Sequence, residues 1–600
     1  MHLPDKLSAV RQYMADKHIS AFLVPRADEY LGEYVPKQNE RLAWISGFTG
    51  SAGMLIITQE KAILFVDGRY TIQVQQQCSS DIFGFEHLID NPPLQWLIQH
   101  LSAGDCVGFD SRLHSYQFYT RAHAELSANN ISLTELPENP IDLNWLDRPD
   151  AEIEVARLLE NKYTGETSLN KRQRIGGKIQ EQGANAALIS QLDSIAWLLN
   201  IRGNDVPHLP VVMGRAILYP SGDMAFCTNL KKIPDGFSKH VGKGVELFAE
   251  ETFNELIQTL GKENQKIIID ANNTNTHAAL RCIEHQAEVI QGTDPVQLPK
   301  AQKNAAELEG MRHCHIRDGS AVSRYLHWIE TEVKAQRFHD EGFLSDRLEQ
   351  FRRNLPDLVD LSFATISAAG SNAAMAHYSH TNGTPAKLSA NTLYLVDSGG
   401  QYLGGTTDIT RTVAIGQPSE EHREMFTRVL KGHIALASAI FPKGTAGNQL
   451  DVLARLPLWE IGLDFDHGTG HGVGCFLSVH EGPQRIAKTT GPSAPLLPGM
   501  VLSNEPGFYK ENSYGIRCEN LMIVKEHTNG MLEFETITFT PFDQTLINEK
   551  LMTETEINWL NQYHQQVVEK LAPFLDNEAL QWLHQATRRF PATTEKFKQA

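Results

Sequence analysis

The chain of 600 residues is poor in several things, and each shortage excludes something. It has only seven cysteines (Cys78, Cys106, Cys227, Cys282, Cys314, Cys475, Cys518), scattered, odd in number and forming no CxxC pair. That argues against a disulfide framework or a cysteine-ligated zinc site, and it fits a reducing, cytoplasmic setting. No run approaches the roughly 18–20 apolar residues needed to cross a bilayer, so no membrane partner is expected. The first residues, Met1-His2-Leu3-Pro4-Asp5-Lys6, lack a basic patch followed by an apolar core, so no secretory leader is expected. Basic residues are outnumbered, 54 to 72, for a formal charge of −18, which disfavours sequence-independent nucleic-acid binding. There is no low-complexity segment, and sequons such as Asn382-Gly-Thr read as chance matches without a leader. What remains is ordinary globular usage, with 41% hydrophobic and 21% charged residues. At this length two to four domains are expected.

The chain begins as helix then strand. Leu7, Val10, Tyr13 and Met14 recur at helical spacing, and Ile19 to Val24 is a short apolar run. Arg174 to Gln182 followed by Ala184 to Ile189 reads the same way. Ala43-Trp44 precedes Gly50 by the same count as Ala196-Trp197 precedes Gly203, an offset of 153 residues. Residues 1–150 and 151–300 are therefore expected to be two copies of one α/β domain. From Ala305 to Thr331 and from Arg337 to Asn354 the spacing predicts long helices. Between Ala364 and Val524 the texture changes to short β-like runs and Gly-rich turns, such as Leu393-Tyr-Leu-Val, Thr410-Arg-Thr-Val and Leu521-Met-Ile-Val. This region, 301–541, is expected to be an α+β domain. The tail, 542–600, is helical and polar, with Trp559, Leu560, Tyr563 and Val567 on one face that is expected to pack on the preceding domain.

Five candidate metal ligands lie in the third region. Asp397 ends an apolar strand in Leu-Val-Asp-Ser-Gly-Gly, and Asp408 follows eleven residues later in Thr-Thr-Asp-Ile-Thr-Arg-Thr. His471 lies in His-Gly-Thr-Gly-His-Gly-Val-Gly. Glu505 lies in Ser-Asn-Glu-Pro-Gly-Phe-Tyr, and Glu519 fourteen residues on in Gly-Ile-Arg-Cys-Glu-Asn. Both acid pairs have hairpin separations. A carboxylate beside a buried apolar strand is costly unless paired or metal-bound. Four clustered carboxylates repel one another unless cations neutralise them. Two divalent ions meet that need, and one imidazole with four carboxylates suits Mn²⁺, Co²⁺ or Zn²⁺. Such a pair can hold a hydroxide nucleophile and polarise a carbonyl. A single acid at a strand end is ordinarily a turn or cap residue; the set of five is the signal.

Three further histidines could complete a hydrolase: His377 in Met-Ala-His-Tyr, His467 at the head of the glycine-rich loop, and His480 in Val-His-Glu-Gly-Pro. A neutral imidazole can donate to a developing oxyanion or shuttle a proton. The chain has 24 histidines, so most are ordinary surface or core residues; His380, Asp466 and Glu481 are read that way. The loop Gly468-x-Gly470-x-Gly472-x-Gly474 has no Lys-Ser/Thr and opens no helix, which excludes a phosphate loop. Its glycines are expected to let backbone approach metal and substrate closely.

Together, these five residues and the strings HGTGHGVG, VHEGP, SNEPGFY and GIRCEN resemble the pita-bread metallopeptidases, a family that includes aminopeptidase P, prolidase, methionine aminopeptidase and the metal-free creatinase. RLAWISGFTGSAG (41–53), DGRY (67–70) and IAWLLNIRGNDV (195–206) are similar to the long, three-domain aminopeptidase P branch. The resemblance implies two creatinase-like N-terminal domains, a pita-bread catalytic domain and a helical extension. It implies two divalent metals per chain, manganese first, with cobalt or zinc as alternatives. Asp397 and Asp408 would bind metal, Asp408 and Glu519 would bridge, and His471 and Glu505 would complete one site. Glu505 would also take a proton from the bridging water. His377 and His480 would contact the scissile carbonyl or the tetrahedral intermediate, and His467 would line the proline side. Arg517 would sit near the site, and Arg69 would reach the far end of the peptide. Cys518 stands where an apolar residue is common and is expected to be silent. The implied reaction is release of the first residue from peptides with proline second, by a homodimer. Two alternatives stand beside it: an Xaa-Pro dipeptidase, and a metal-free peptide-binding platform. The complete ligand set speaks against the latter.

Overall fold

The short apolar runs form sheets and the amphipathic stretches cover them. The computed structural model describes residues 2–488 and 493–591, so residues 592–600 of the expected helical extension lie outside the described residues. The chain divides into two units, Met1–Gln297 and Leu298–Ala600.

The first unit contains two six-stranded sheets of the same plan. In one, the strands Ala21–Pro25, Met54–Thr58, Ala62–Val66, Gly84–His87, Cys106–Phe109 and Ser132–Glu135 lie in the order 4-3-2-1-5-6. In the other, Ala186–Ile189, Gly214–Leu218, Met224–Thr228, Val245–Phe248, Lys266–Asp270 and Glu288–Gly292 take the same order. The directions match too: the pairs 1/2 and 2/3 are antiparallel, and the pairs 3/4, 1/5 and 5/6 are parallel. Two identical topologies in one unit are the expected repeat. The Ala-Trp pairs occupy equivalent helices, Arg41–Ser46 and Leu192–Leu199, between strands 1 and 2 of each copy. Insertions elsewhere shift the offset, so the sequence match is loose.

The second unit opens with the helix Ala305–Lys334. Its start is fixed by Asn304, which accepts from the Ala306 and Glu307 N–H groups while Glu307 reaches back to the Asn304 N–H. The next helix, Glu341–Arg353, begins later than Arg337, because Asp340 caps it and Arg337 turns back to pair with Glu332. Two sheets follow. A three-stranded sheet runs in the order Ile366–Ala369, Thr392–Ser398, Ile409–Ile415. A six-stranded sheet runs in the order Ile440–Phe441, Leu532–Thr536, Asn520–Glu526, Val501–Asn504, Gly470–Gly472, Glu481–Ile486.

The tail helix Glu554–Leu571 packs on this unit. Leu560, Tyr563 and Val567 are buried in one apolar cluster with Leu393, Val429, Ile516 and Phe542, and Trp559 lies against it. Arg411, fully buried, ties the tail to the sheets: it donates to the Glu519, Thr540 and Pro541 carbonyls and to the Tyr563 hydroxyl.

His564, one residue on, makes this packing sensitive to acid. The Phe542 N–H donates to its Nε2 at 3.3 Å, so that nitrogen carries no proton in the fold. Burial first, then the charge of Arg411, push its pKa down from 6.5 to about 3. The unfolded chain takes up this proton below about pH 6.5 and the folded chain does not. The contribution is therefore complete above about pH 6.5 and is lost as the pH falls toward about 3. Between about pH 6.5 and about pH 5 it amounts to about 2 kcal/mol. Denaturant unfolding at both pH values should show this loss, and His564→Gln should flatten the slope by that amount.

Candidate metal centre

Register brings the five predicted ligands to one place. Asp397, the last residue but one of its strand, pairs with Thr410, two residues past Asp408, so the first acid pair stands at the same end of one antiparallel pair. Asn504 pairs with Asn520, which puts Glu505 and Glu519 side by side just beyond the paired ends of their strands. His471 lies at the middle of Gly470–Gly472, next to Val501–Asn504. The two sheets meet where the Glu519 N–H donates to the Thr410 carbonyl and the Thr410 hydroxyl donates to Glu519 Oε2 at 2.7 Å.

The glycines flanking His471 admit neighbouring backbone close to the histidine. A Cβ on Gly470 would stand 2.0 Å from the Ser503 carbonyl oxygen, and one on Gly472 would stand 2.2 Å from that of Glu481. Only glycine lets the neighbouring strands come this close to the histidine.

Asp397, Asp408 and Glu519 are buried, and His471 and Glu505 are half-buried. His471 Nδ1–H donates to the Gly472 carbonyl at 3.0 Å, which orients the ring and turns Nε2 toward the neighbouring carboxylates. That nitrogen lies 3.4 Å from Asp408 Oδ2 and 3.5 Å from Glu505 Oε1. Ligand atoms of Asp408, His471 and Glu519 all lie within 4.8 Å of one another. Asp397 Oδ1 is buried with no hydrogen-bond partner, and its other oxygen accepts from Arg517 Nη2 at 2.5 Å.

The electrostatics follow from this crowding. Burial, against the pull of Arg517 and helped by Asp408, raises the Asp397 pKa to about 6. Burial also raises Glu505, and burial with three neighbouring carboxylates raises Glu519 well above its usual range. Burial opposes a charge on His471, yet Asp408 and Glu505 carry its pKa up to about 9. Four acids and an imidazole with an orphaned carboxylate oxygen form a donor set that divalent cations fit, because cations can take the place of the protons these groups otherwise hold.

The other predicted residues divide. The His480 ring meets the His471 ring edge-to-face, centroids 4.3 Å apart. His467 and Arg517 join through a residue that sequence reasoning missed: Tyr509 lies 2.8 Å from His467 Nε2, and its hydroxyl accepts from Arg517 Nη1 at 2.6 Å. Arg517 also donates to Thr410 Oγ1 at 3.0 Å and to the Ala376 carbonyl at 3.4 Å, the latter anchoring the half-buried turn that bears His377. Arg69 lies in the first unit, where Asp67 holds its guanidinium at 2.7 Å. Cys518 is buried, which pushes its thiol up to about 12 and leaves it inert. Glu481 is a core residue, paired with Lys300 at 3.3 Å and with Lys303.

Residues 309–526 match metallopeptidase family M24, and 530–590 match the C-terminal region of peptidase M24. Residues 6–139 and 147–307 each match a creatinase/prolidase N-terminal domain. A "Probable Xaa-Pro aminopeptidase P" of Neurospora crassa is 37% identical over 98% of this chain and 89% of its own length. The chain belongs to the aminopeptidase P group of metallopeptidase family M24. An "Aminopeptidase P2" of Arabidopsis thaliana is also 37% identical, over 97% of this chain and 88% of its own. Among solved structures, an X-prolyl aminopeptidase from Caenorhabditis elegans, described as a cytosolic enzyme with a di-nuclear active site, superposes with a TM-score of 0.94. It is 33% identical and covers 98% of this chain and all of its own. The pita-bread fold of this M24 member thus carries two creatinase-like domains before it and a helical tail after it. Among the described residues no helix is long and apolar enough to cross a membrane.

Proposed function

We propose that this chain is a metal-dependent aminopeptidase that hydrolyses the bond between a first residue and a following proline. The observation that carries the reading is the convergence of Asp408, His471 and Glu519 with Asp397 and Glu505 at the adjoining strand ends. Asp397, Asp408, His471, Glu505 and Glu519 would hold two divalent cations, with manganese first and cobalt or zinc as alternatives. When bound, such cations polarise a carbonyl and lower the pKa of water.

The remaining work falls to the chain. Glu505 accepts a proton from the attacking water. His377 and His480 donate to the scissile carbonyl oxygen as charge develops on it. His467 lines the proline side, held by Tyr509, and Arg517 fixes both Tyr509 and Asp397. Arg69 serves the far end of the peptide. An Xaa-Pro bond has no N–H, so enzymes that grip that N–H handle it poorly; a carbonyl-directed site does not need it. The reading includes a cytoplasmic setting, a homodimer, and a division into 1–150, 151–300, 301–541 and 542–600.

The test is a comparison of an Xaa-Pro dipeptide with an Xaa-Pro-Xaa tripeptide at equal metal loading. Release of the first residue from the tripeptide at least about ten times faster, a transition-state difference of about 1.4 kcal/mol, supports the aminopeptidase. Faster dipeptide cleavage would make the chain a prolidase.

A further inference from the structure

The segment that bears His377 has little structure of its own. Between the strand Ile366–Ala369 and residue 386 it forms two short helical turns, Gly370–Ala374 and His380–Asn382. Backbone without a ladder must find its partners elsewhere. Here the backbone N–H groups at its two ends, Ala369 and Ala386, both find one side chain. Glu341, the first residue of the helix Glu341–Arg353, is fully buried. Its Oε1 accepts from the Ala369 N–H at 2.8 Å and from Asn372 Nδ2 at 2.9 Å. Its Oε2 accepts from the Tyr378 hydroxyl at 2.7 Å and from the Ala386 N–H at 2.8 Å. Four donors on two oxygens replace the water this carboxylate has lost.

The four donors span the segment. They fix its entry (Ala369), its first turn (Asn372), the residue next to His377 (Tyr378) and its exit (Ala386). The backbone of Glu341 adds to the clamp. Its N–H donates to the Ala386 carbonyl at 3.0 Å, and its carbonyl accepts from Ser367 Oγ at 2.7 Å. Ser367 Oγ in turn meets the hydroxyl of Tyr394, on the Asp397 strand, at 2.7 Å. On the other flank of His377 the Ala376 carbonyl accepts from Arg517 Nη1, and Arg517 holds Asp397. His377 is thus pinned at both neighbours, by two buried groups that each connect to the strand of a candidate metal ligand.

We infer that Glu341 is a positioning residue for the reaction, holding the turn that presents His377. The inference rests on the role proposed above for His377. Both Glu341 carboxylate oxygens are taken up by protein donors. Its carboxylate is needed as such. A carboxamide replaces one acceptor with an NH₂ donor. Asn372 can rotate to offer its oxygen and Tyr378 can turn its hydroxyl, but the Ala369 and Ala386 N–H groups cannot reverse. In either amide orientation, one backbone N–H therefore faces another N–H.

The experiment is a double-mutant cycle of Glu341→Gln with His377→Ala, reading kcat, KM and manganese bound per chain on an Xaa-Pro-Xaa tripeptide. Misplacement of a reacting group by about 1 Å costs about 100-fold. Glu341→Gln should therefore lower kcat by about 10- to 100-fold, with KM within about threefold and bound manganese unchanged. In the His377→Ala background the same change should cost less than about threefold. Tyr378→Phe, which removes one donor and leaves three, should lower kcat by about three- to tenfold in the wild type and not in His377→Ala. It carries the cycle if Glu341→Gln does not fold. A defective His377→Ala in which Glu341→Gln, or Tyr378→Phe in its place, still costs its full factor overturns the positioning role alone. A fully active Glu341→Gln does the same. A fully active His377→Ala overturns the role of His377, and this inference with it.

Discussion

Asp408→Ala is expected to lower kcat/KM by about 1,000-fold or more while the chain stays folded. The carboxylate stands at the junction of the two sheets, 3.4 Å from His471 Nε2 and within reach of Glu519. Removing groups that merely support a ligand costs about 10- to 100-fold in metal affinity or activity, and removing a ligand costs more. The fold should survive, because four crowded carboxylates oppose one another and losing one relieves that repulsion. Steady-state kinetics with thermal unfolding of the same preparation checks both halves. A variant with near-wild-type turnover would contradict the assignment of Asp408.

Arg517→Ala should be the most destabilising single change near the site. Its guanidinium is buried and serves Asp397, Tyr509, Thr410 and the Ala376 carbonyl. Without it Asp397 Oδ2 loses the donor Arg517 supplies, while Oδ1 already has none, so the carboxylate is left without a hydrogen bond from this arginine or to its other oxygen. Breaking a buried pair by removing one partner costs about 3–5 kcal/mol, because the other charge stays behind. Tyr509, and with it His467, loses its anchor, so kcat/KM should fall by about 100-fold as well. Arg517→Lys should rescue little, since an ammonium cannot reach these acceptors in the planar fork of a guanidinium. Denaturant unfolding and kinetics measure the two losses. A change under about 1 kcal/mol would show that Asp397 does not depend on this arginine.

The sequence displayed the ligands but not the frame around them. Asp397, Asp408, Glu505 and Glu519 stand out because acids at the ends of apolar strands need an explanation, and their spacings of eleven and fourteen match the two antiparallel pairs found. His471 stands out by its glycines, whose close neighbours are the Ser503 and Glu481 carbonyls. Tyr509, Thr410 and Glu341 gave no signal. A hydroxyl or a helix-starting glutamate is common, and its meaning lies in partners far along the chain, as between Thr410 and Glu519 or Glu341 and Ala386. The repeat was legible only in the opening helix and strand of each copy and at one later helix. Strand order and direction, which make the two N-terminal sheets identical in plan, are set by which apolar faces meet, and hydropathy alone does not record that.

The most direct test is a metal titration of the stripped chain. Manganese would be added in steps while bound metal per chain and first-residue release from an Xaa-Pro-Xaa tripeptide are followed together. The account predicts binding that saturates at two ions in the wild type, activity that rises with that occupancy, and loss of both in Asp408→Ala. Turnover that persists without metal, or metal that binds equally well to Asp408→Ala, would contradict it.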